Sequence, residues 1–83
     1  MTRQEICKIL HDDVVFLRIG LQRATARFNA TLNDIPSHLP HPDGGQRIRN
    51  AAIENAAALS KLRIALRRET DFILRGTVPK DIQ

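Results

Sequence analysis

Two long stretches without proline, separated by one proline-rich segment, limit what this chain can fold into. No proline occurs in residues 1–35 or 43–78, whereas residues 35–45 contain three prolines and two glycines. Proline removes a backbone donor and clashes with the preceding helical turn, so helices end where prolines cluster. The pattern therefore predicts two helices joined by a turn.

The first stretch predicts a helix over residues 3–34. Thr2 and Glu5 match a capping box at its start, in which the Thr2 hydroxyl accepts a hydrogen bond from the Glu5 amide. Apolar residues then recur at alternating steps of three and four, which is typical of a helix that buries one stripe. The predicted stripe consists of Cys7, Leu10, Val14, Leu17, Leu21, Ala24, Phe28, Thr31 and Ile35.

The second stretch predicts a helix over residues 44–75. Asp43 can cap its first turn, Gly76 can adopt the positive φ that closes a last turn, and Pro79 prevents continuation. The same three- and four-residue spacing defines its apolar stripe. The predicted stripe consists of Ile48, Ala52, Asn55, Leu59, Leu62, Leu66, Glu69 and Ile73.

Two polar residues, Asn55 and Glu69, interrupt the stripe of the second helix. In coiled coils a polar residue at such a position can be buried and fix the register of the helices. Alternatively, the helix is straighter than a heptad repeat implies, and both side chains face solvent. We favour the solvent-facing interpretation.

The connection between the helices determines their relative direction. Residues 35–43 form a short loop between two helices that would each be roughly 45 Å long at 1.5 Å per residue, so the helices must run antiparallel. The sequence thus predicts an all-α fold consisting of one antiparallel two-helix hairpin domain. In the tail at residues 76–83, Val78 and Ile82 are expected to fold back over the open end of the hairpin.

A hairpin of this size has little to stabilise it. Eighty-three residues supply a hydrophobic core worth only about 3–5 kcal/mol. The single cysteine, Cys7, cannot form an internal disulfide and is expected to fill the core, and no Cys/His set has the spacing of a structural zinc site. Association with another helical surface is therefore expected.

The middle of the first helix is apolar on a second side. Val15, Phe16 and Ile19 lie away from the predicted stripe on a helical wheel, and Gly20 beside them is most easily explained by a close neighbouring helix. Alanines on the second helix repeat one heptad apart. We therefore expect two hairpins to form a homodimeric four-helix bundle; the alternatives are that the tail or a different protein covers this side. The predicted interface consists of Ile9, Val15, Phe16, Ile19, Gly20, Ala51, Ala58, Ala65 and Phe72.

One unpaired cysteine and the lack of an apolar signal segment predict a reducing, cytoplasmic location. No apolar run approaches the roughly 20 residues needed to cross a bilayer, so no membrane partner is expected.

The segment His11-Asp12-Asp13 resembles the phosphoacceptor helix of histidine-kinase dimerisation domains, and residues 57–63 are similar to the second helix of that domain. The resemblance implies that His11 accepts a phosphoryl group and that Asp12 is its acidic neighbour. The alternative, which we favour, is a surface histidine that forms local hydrogen bonds.

A second resemblance is to small two-helix antiactivators of conjugal-transfer quorum sensing. It implies a dimer that sequesters a transcription factor. The residues that carry it are Gly44, Gly45, Ile48, Arg49, Ile53, Glu54, Ser60, Leu62, Val78, Pro79 and Lys80.

The basic surface offers nucleic acid as an alternative partner. The chain has 13 Lys+Arg against 9 Asp+Glu, but without Trp or Tyr it cannot assemble an aromatic platform for stacking bases. Asp71 is spaced to pair with both Arg67 and Arg75, which would reduce the surplus. The candidate phosphate-binding residues are Arg18, Arg23, Arg27, Lys61, Arg63 and Arg68.

No pattern in the sequence indicates catalysis. His38 and His41, with Asp34 and Asp43 nearby, could hold a metal only if the loop folded inward, and a solvated turn is the preferred interpretation. The hydroxyl residues have no His/acid pair in sequence that suggests a triad, and no glycine-rich phosphate loop is present. The sequence therefore predicts a non-enzymatic, homodimeric interaction or regulatory module without a cofactor or metal.

Overall fold

The computed structural model describes residues 1–34 and 44–83, which form two α-helices and a short tail. Helix α1 spans Arg3–Asp34 and helix α2 spans Gly44–Arg75. No strand occurs in these described residues. The predicted all-α hairpin is therefore confirmed.

Contacts between side chains give the direction of the two helices. His11 near the start of α1 contacts Glu69 near the end of α2, whereas Arg27 toward the end of α1 contacts Glu54. Because position rises along α1 as it falls along α2, the helices are antiparallel. The chain is accordingly a rod, with extents of 57 × 18 × 16 Å.

Local chemistry accounts for the described helix ends. The amide of Glu5 donates to the Thr2 hydroxyl over 3.2 Å, which satisfies one of the first amides of α1. At the end of α2, Gly76 has a φ of 70°, and its amide donates to the carbonyl of Phe72 over 2.9 Å. Asp43, the predicted cap of α2, lies outside the described residues.

The first of two core clusters closes the open end of the hairpin, where the chain termini lie. Ile6 and Leu10 of α1 pack with Phe72 of α2, and Leu10 is only 1% exposed. Val78 and Ile82 of the tail pack against this cluster, as the sequence predicted. Half-buried Cys7 also packs there, which supports its expected role in the core.

The second core cluster lies in the middle of the hairpin. Val14 packs against Leu62 and Ala65, and Ala65 is only 2% exposed. The half-buried leucines that flank this cluster are Leu17, Leu21 and Leu66. Ala65 of α2 thus lies among larger side chains from both helices, and its small size permits a close approach of the two helix backbones.

The buried stripe of α2 differs from the predicted one. Ala52 and Ile73 of the predicted stripe are exposed, whereas Ala51, Ala65 and Phe72 are buried. The predicted residues Ala52, Leu66 and Ile73 each lie one position after the residue that is buried. The prediction followed the more hydrophobic residues Leu59, Leu66 and Ile73. Close packing against α1 instead favours the side of α2 that carries Ala51 and Ala65.

The solvent-facing interpretation of Asn55 and Glu69 is wrong. Both side chains are half-buried, and both contact α1: Asn55 accepts a hydrogen bond of 2.9 Å from the Thr25 hydroxyl, and Glu69 contacts His11. Buried Leu62 lies midway between them, one heptad from each. The register-fixing role is therefore the one that the contacts support.

Candidate functional site

An open groove runs between α1 and α2 on one side of the hairpin. Its volume is about 360 Å³, and it lies at mid-length of both helices. The lining residues are Phe16, Leu17, Gly20, Ala24, Arg27, Glu54, Ala57, Ala58 and Lys61. Four of these residues are glycine or alanine, and Phe16 and Leu17 are large and apolar. The other three, Arg27, Glu54 and Lys61, are charged.

Phe16 is the most exposed large apolar side chain of this groove. It is 73% exposed, although aromatic side chains of this size contribute most when they are buried. Gly20 and Ala24 follow Phe16 at four-residue steps, so all three lie along the same side of α1. Phe16 and Gly20 were predicted as interface residues and Ala24 as part of the stripe of α1. Ala57 was not predicted at an interface, although it adjoins Ala58 in a run of three alanines.

The predicted interface residues of α1 are all accessible. Ile9, Val15 and Ile19 are exposed, and so is Gly20. A Cβ atom added to Gly20 would meet no atom within 4 Å, so no neighbour within the described chain requires a glycine there. The apolar side of α1 is thus left open by the hairpin.

Most of the predicted interface residues of α2 lie inside the hairpin rather than on its surface. Ala51, Ala65 and Phe72 are buried within the hairpin, which counts against their predicted place in a dimer interface. The heptad repeat of these residues reflects the packing of α2 against α1. Ala58 is half-buried and lines the groove, and it is the one member of that repeat that a second molecule could reach.

Two of the candidate phosphate-binding residues contact acids. Arg68 lies 2.9 Å from a carboxylate oxygen of Asp81 in the tail and 3.9 Å from Asp13 of α1. Arg27 lies 3.4 Å from Glu54. These contacts reduce the positive charge that is available to a phosphate backbone.

The other candidate phosphate-binding residues, Arg18, Arg23, Lys61 and Arg63, form no ion pair with a described residue. The expected pairing of Asp71 with Arg67 and Arg75 is also not found within residues 1–34 and 44–83.

His11, the candidate phosphoacceptor, is tied to the opposite helix. Its Nδ1 atom lies 3.1 Å from Oε2 of Glu69, and its side chain is exposed. The contact joins α1 to α2, so the expected local hydrogen bonds are replaced by a contact between helices. Because the described hydroxyls and thiol make no hydrogen bond to this imidazole, the described residues show no nucleophile–base pair.

No group of three or more potential metal ligands occurs among the described residues. His38, His41 and Asp43 lie outside them, so the loop hypothesis concerns a part of the chain that the structure does not describe. Neither described helix has a segment that is both long and apolar enough to span a bilayer.

Comparisons with protein-family models, with curated proteins and with solved structures found no match to this chain. The resemblances to histidine-kinase dimerisation domains and to two-helix antiactivators gain no support from them. The surface of the hairpin itself is therefore the basis for a proposed function.

Proposed function

We propose that this chain is a non-enzymatic interaction module that acts as a homodimer through the groove and the Phe16 side of α1. The observation that carries the proposal is that Phe16 is 73% exposed beside an open groove of about 360 Å³. Scattered apolar residues are common on protein surfaces. Here, however, Phe16 lines one surface depression together with Gly20 and a second one together with Ile9.

The energetics of a small hairpin favour association. Burial of one phenylalanine side chain stabilises a protein by about 1.5–3 kcal/mol. A single core in a chain of 83 residues contributes only about 3–5 kcal/mol. The burial of Phe16 in each copy of a dimer would therefore add a large share of the total stability.

The outer surface of α2 supports a role in contacting further proteins. Ile53, Ile64 and Leu74 are all more than half exposed, and Arg63 and Arg67 flank Ile64. None of the three apolar residues lines the groove. A dimer formed through the groove would thus keep an apolar surface with basic neighbours for a regulatory partner.

Nucleic-acid binding and phosphotransfer remain predictions with less support. The contacts of Arg68 and Arg27 with acids count against a phosphate-binding stripe, and Glu69 occupies one ring nitrogen of His11. Binding to RNA or DNA at low salt that weakens steeply at moderate salt would support the first. Acid-labile phosphate on His11 after incubation with a phosphodonor would support the second.

The proposal is tested by the mass of the protein in solution at micromolar concentration, measured by light scattering or sedimentation. The wild-type chain should be a dimer, and Phe16→Asp should shift it to monomer, because a carboxylate in the apolar contact is costly to desolvate. Leu74→Asp is the matched control, since Leu74 is 75% exposed but lies outside the groove. A monomeric wild-type chain, or a Phe16→Asp protein that stays dimeric, would contradict the proposal.

A further inference from the structure

We infer that the second copy binds antiparallel along α1, with a two-fold axis that passes at Gly20. This inference depends on the proposed homodimer and adds the orientation of the copies and the residues that meet. In this arrangement Phe16 of each copy lies opposite Ala24 of the other, and Asp13 lies opposite Arg27. The interface is isologous, so every contact occurs twice.

The glycine at the axis is the first argument. Gly20 lies in the middle of α1, where glycine costs about 1 kcal/mol relative to alanine. Its Cα faces open space, with nothing within 4 Å of an added Cβ, so packing inside the described chain does not explain it. A helix of a second copy that crosses α1 at this point would explain the glycine, because two backbones approach most closely where neither carries a side chain.

The order of charges along α1 is the second argument. Asp12 and Asp13 precede Gly20, and Arg23 and Arg27 follow it, with no acid between Asp13 and Asp34. Asp13 and Arg27 are equally distant from Gly20 along the helix. Antiparallel pairing about Gly20 therefore places Asp13 of each copy opposite Arg27 of the other, and Arg18, a base that also precedes Gly20, opposite the uncharged Gln22.

A parallel pairing of the same helices would place like charges opposite each other, which is unfavourable. The partners of these residues within the chain do not prevent the antiparallel contact. Asp13 is 3.9 Å from Arg68, and Arg27 and Glu54 are both more than half exposed, so both intrachain pairs are weak.

The apolar contact is the third argument. Phe16 and Ala24 stand four residues before and after Gly20, and both line the groove, where Phe16 is 73% exposed and Ala24 only 7%. Under the two-fold axis, the exposed ring of Phe16 enters the groove of the second copy beside Ala24 and Ala57. Each copy thus supplies one large side chain and one recess for the other.

The surface area of the chain is consistent with a missing partner. A compact monomer of 9.4 kDa is expected to expose about 5,000 Å². The hairpin exposes 6392 Å². A rod exposes more surface than a compact molecule of equal mass, and this excess is larger than the roughly 800 Å² that each partner loses in an interface of standard size, so the available area permits a dimer. Because Gly20 lies near the midpoint of α1, the two copies would overlap over almost the whole helix.

Charge-reversed variants test the orientation. Asp13→Arg and Arg27→Asp each create two repulsive pairs in their own homodimers, which should raise the dimer Kd by about tenfold or more. A mixture of the two variants restores opposite charges at both contacts of the heterodimer. Intrachain effects of the substitutions are the same in homodimers and heterodimers, so native mass spectrometry of the mixture isolates the contact between copies.

The expected result is an excess of heterodimer over the one-half share of a random mixture. A random mixture, or no dimer in the mixture, overturns the inferred orientation. If the wild-type chain is a dimer that Phe16→Asp dissociates, the proposed function stands even when this orientation fails. A monomeric wild-type chain overturns both.

A cysteine at the axis gives a second measurement. In a Cys7→Ala background, Gly20→Cys should form a disulfide between copies under mild oxidation, because only a residue on the two-fold axis meets its own counterpart within the roughly 4.4–6.8 Å Cα separation that a disulfide requires. Gln22→Cys is the control, since Gln22 is exposed on the opposite side of α1. Cross-linking of both variants to the same extent contradicts the inference.

Discussion

The hydroxyl of Thr25 donates a hydrogen bond of 2.9 Å to the side-chain oxygen of Asn55 and joins the middle parts of α1 and α2. His11 and Glu69 form the corresponding contact two heptads closer to the open end. A shift of one helix by a single heptad would break both contacts together and place Leu62 opposite one of the polar side chains. The two polar contacts therefore specify one register of the hairpin.

A double-mutant cycle measures the first of these contacts. Thr25→Ala, Asn55→Ala and the double variant should give a coupling energy of about 0.5–1 kcal/mol in urea unfolding, because the hydrogen bond is exposed on the Thr25 side. Thr25 and Glu69 do not touch, and the corresponding cycle should give a coupling within about 0.5 kcal/mol of zero. Equal coupling in the two cycles would show that the contact does not specify register.

Leu10 should be the most sensitive position of the core. Among the described residues it is the large side chain that is most completely buried, with 1% exposed. Leu10→Ala is expected to lower the free energy of unfolding by about 2–5 kcal/mol, which approaches the whole stability of such a chain. Circular dichroism during thermal unfolding, at one protein concentration, measures the loss. Leu74→Ala removes an exposed side chain and should change the stability by less than about 0.5 kcal/mol.

The tail should stabilise the hairpin through its apolar residues. Removal of residues 77–83 uncovers the cluster against which Val78 and Ile82 pack and is expected to lower the free energy of unfolding by about 2 kcal/mol. Asp81→Asn removes only the charge that contacts Arg68 and should cost less than about 1 kcal/mol, because Asp81 is largely exposed. If the two variants lose equal stability, the ion pair rather than apolar packing holds the tail.

The helix ends show how much of this fold local chemistry determines. Thr2 and Gly76 were identified as the start of α1 and the end of α2 because a hydroxyl can accept an amide and a glycine can adopt positive φ, and both contacts are present. Such effects depend on neighbours within a few residues. They can therefore be read from one sequence without knowledge of the partner helix.

The stripe of α2 could not be read in this way. Hydrophobicity favoured Leu66 over Ala65, because a leucine gains more from burial than an alanine. The buried side is instead chosen by the fit between helices, since an alanine opposite Val14 lets the backbones approach. For the same reason, the predicted interface residues of α1 are exposed, whereas three of the four predicted on α2 are buried in the hairpin.

Substitutions at neighbouring alanines check this shift of the stripe. Ala65→Leu should lower the free energy of unfolding by about 1–3 kcal/mol, because Ala65 is 2% exposed and the larger side chain would overpack the core. Ala52→Leu falls on the predicted stripe but is exposed, so its effect should stay within about 0.5 kcal/mol. The opposite order of sensitivity in urea unfolding would support the stripe predicted from hydrophobicity.

The two ends of the 57 Å rod are chemically different, since the chain termini and the tail lie at one end, and the end of α1 and the start of α2 at the other. In an antiparallel dimer, each end of the assembly would carry the termini of one copy and the connection of the other. Domains or tags fused to the chain would then be held apart by most of the rod length.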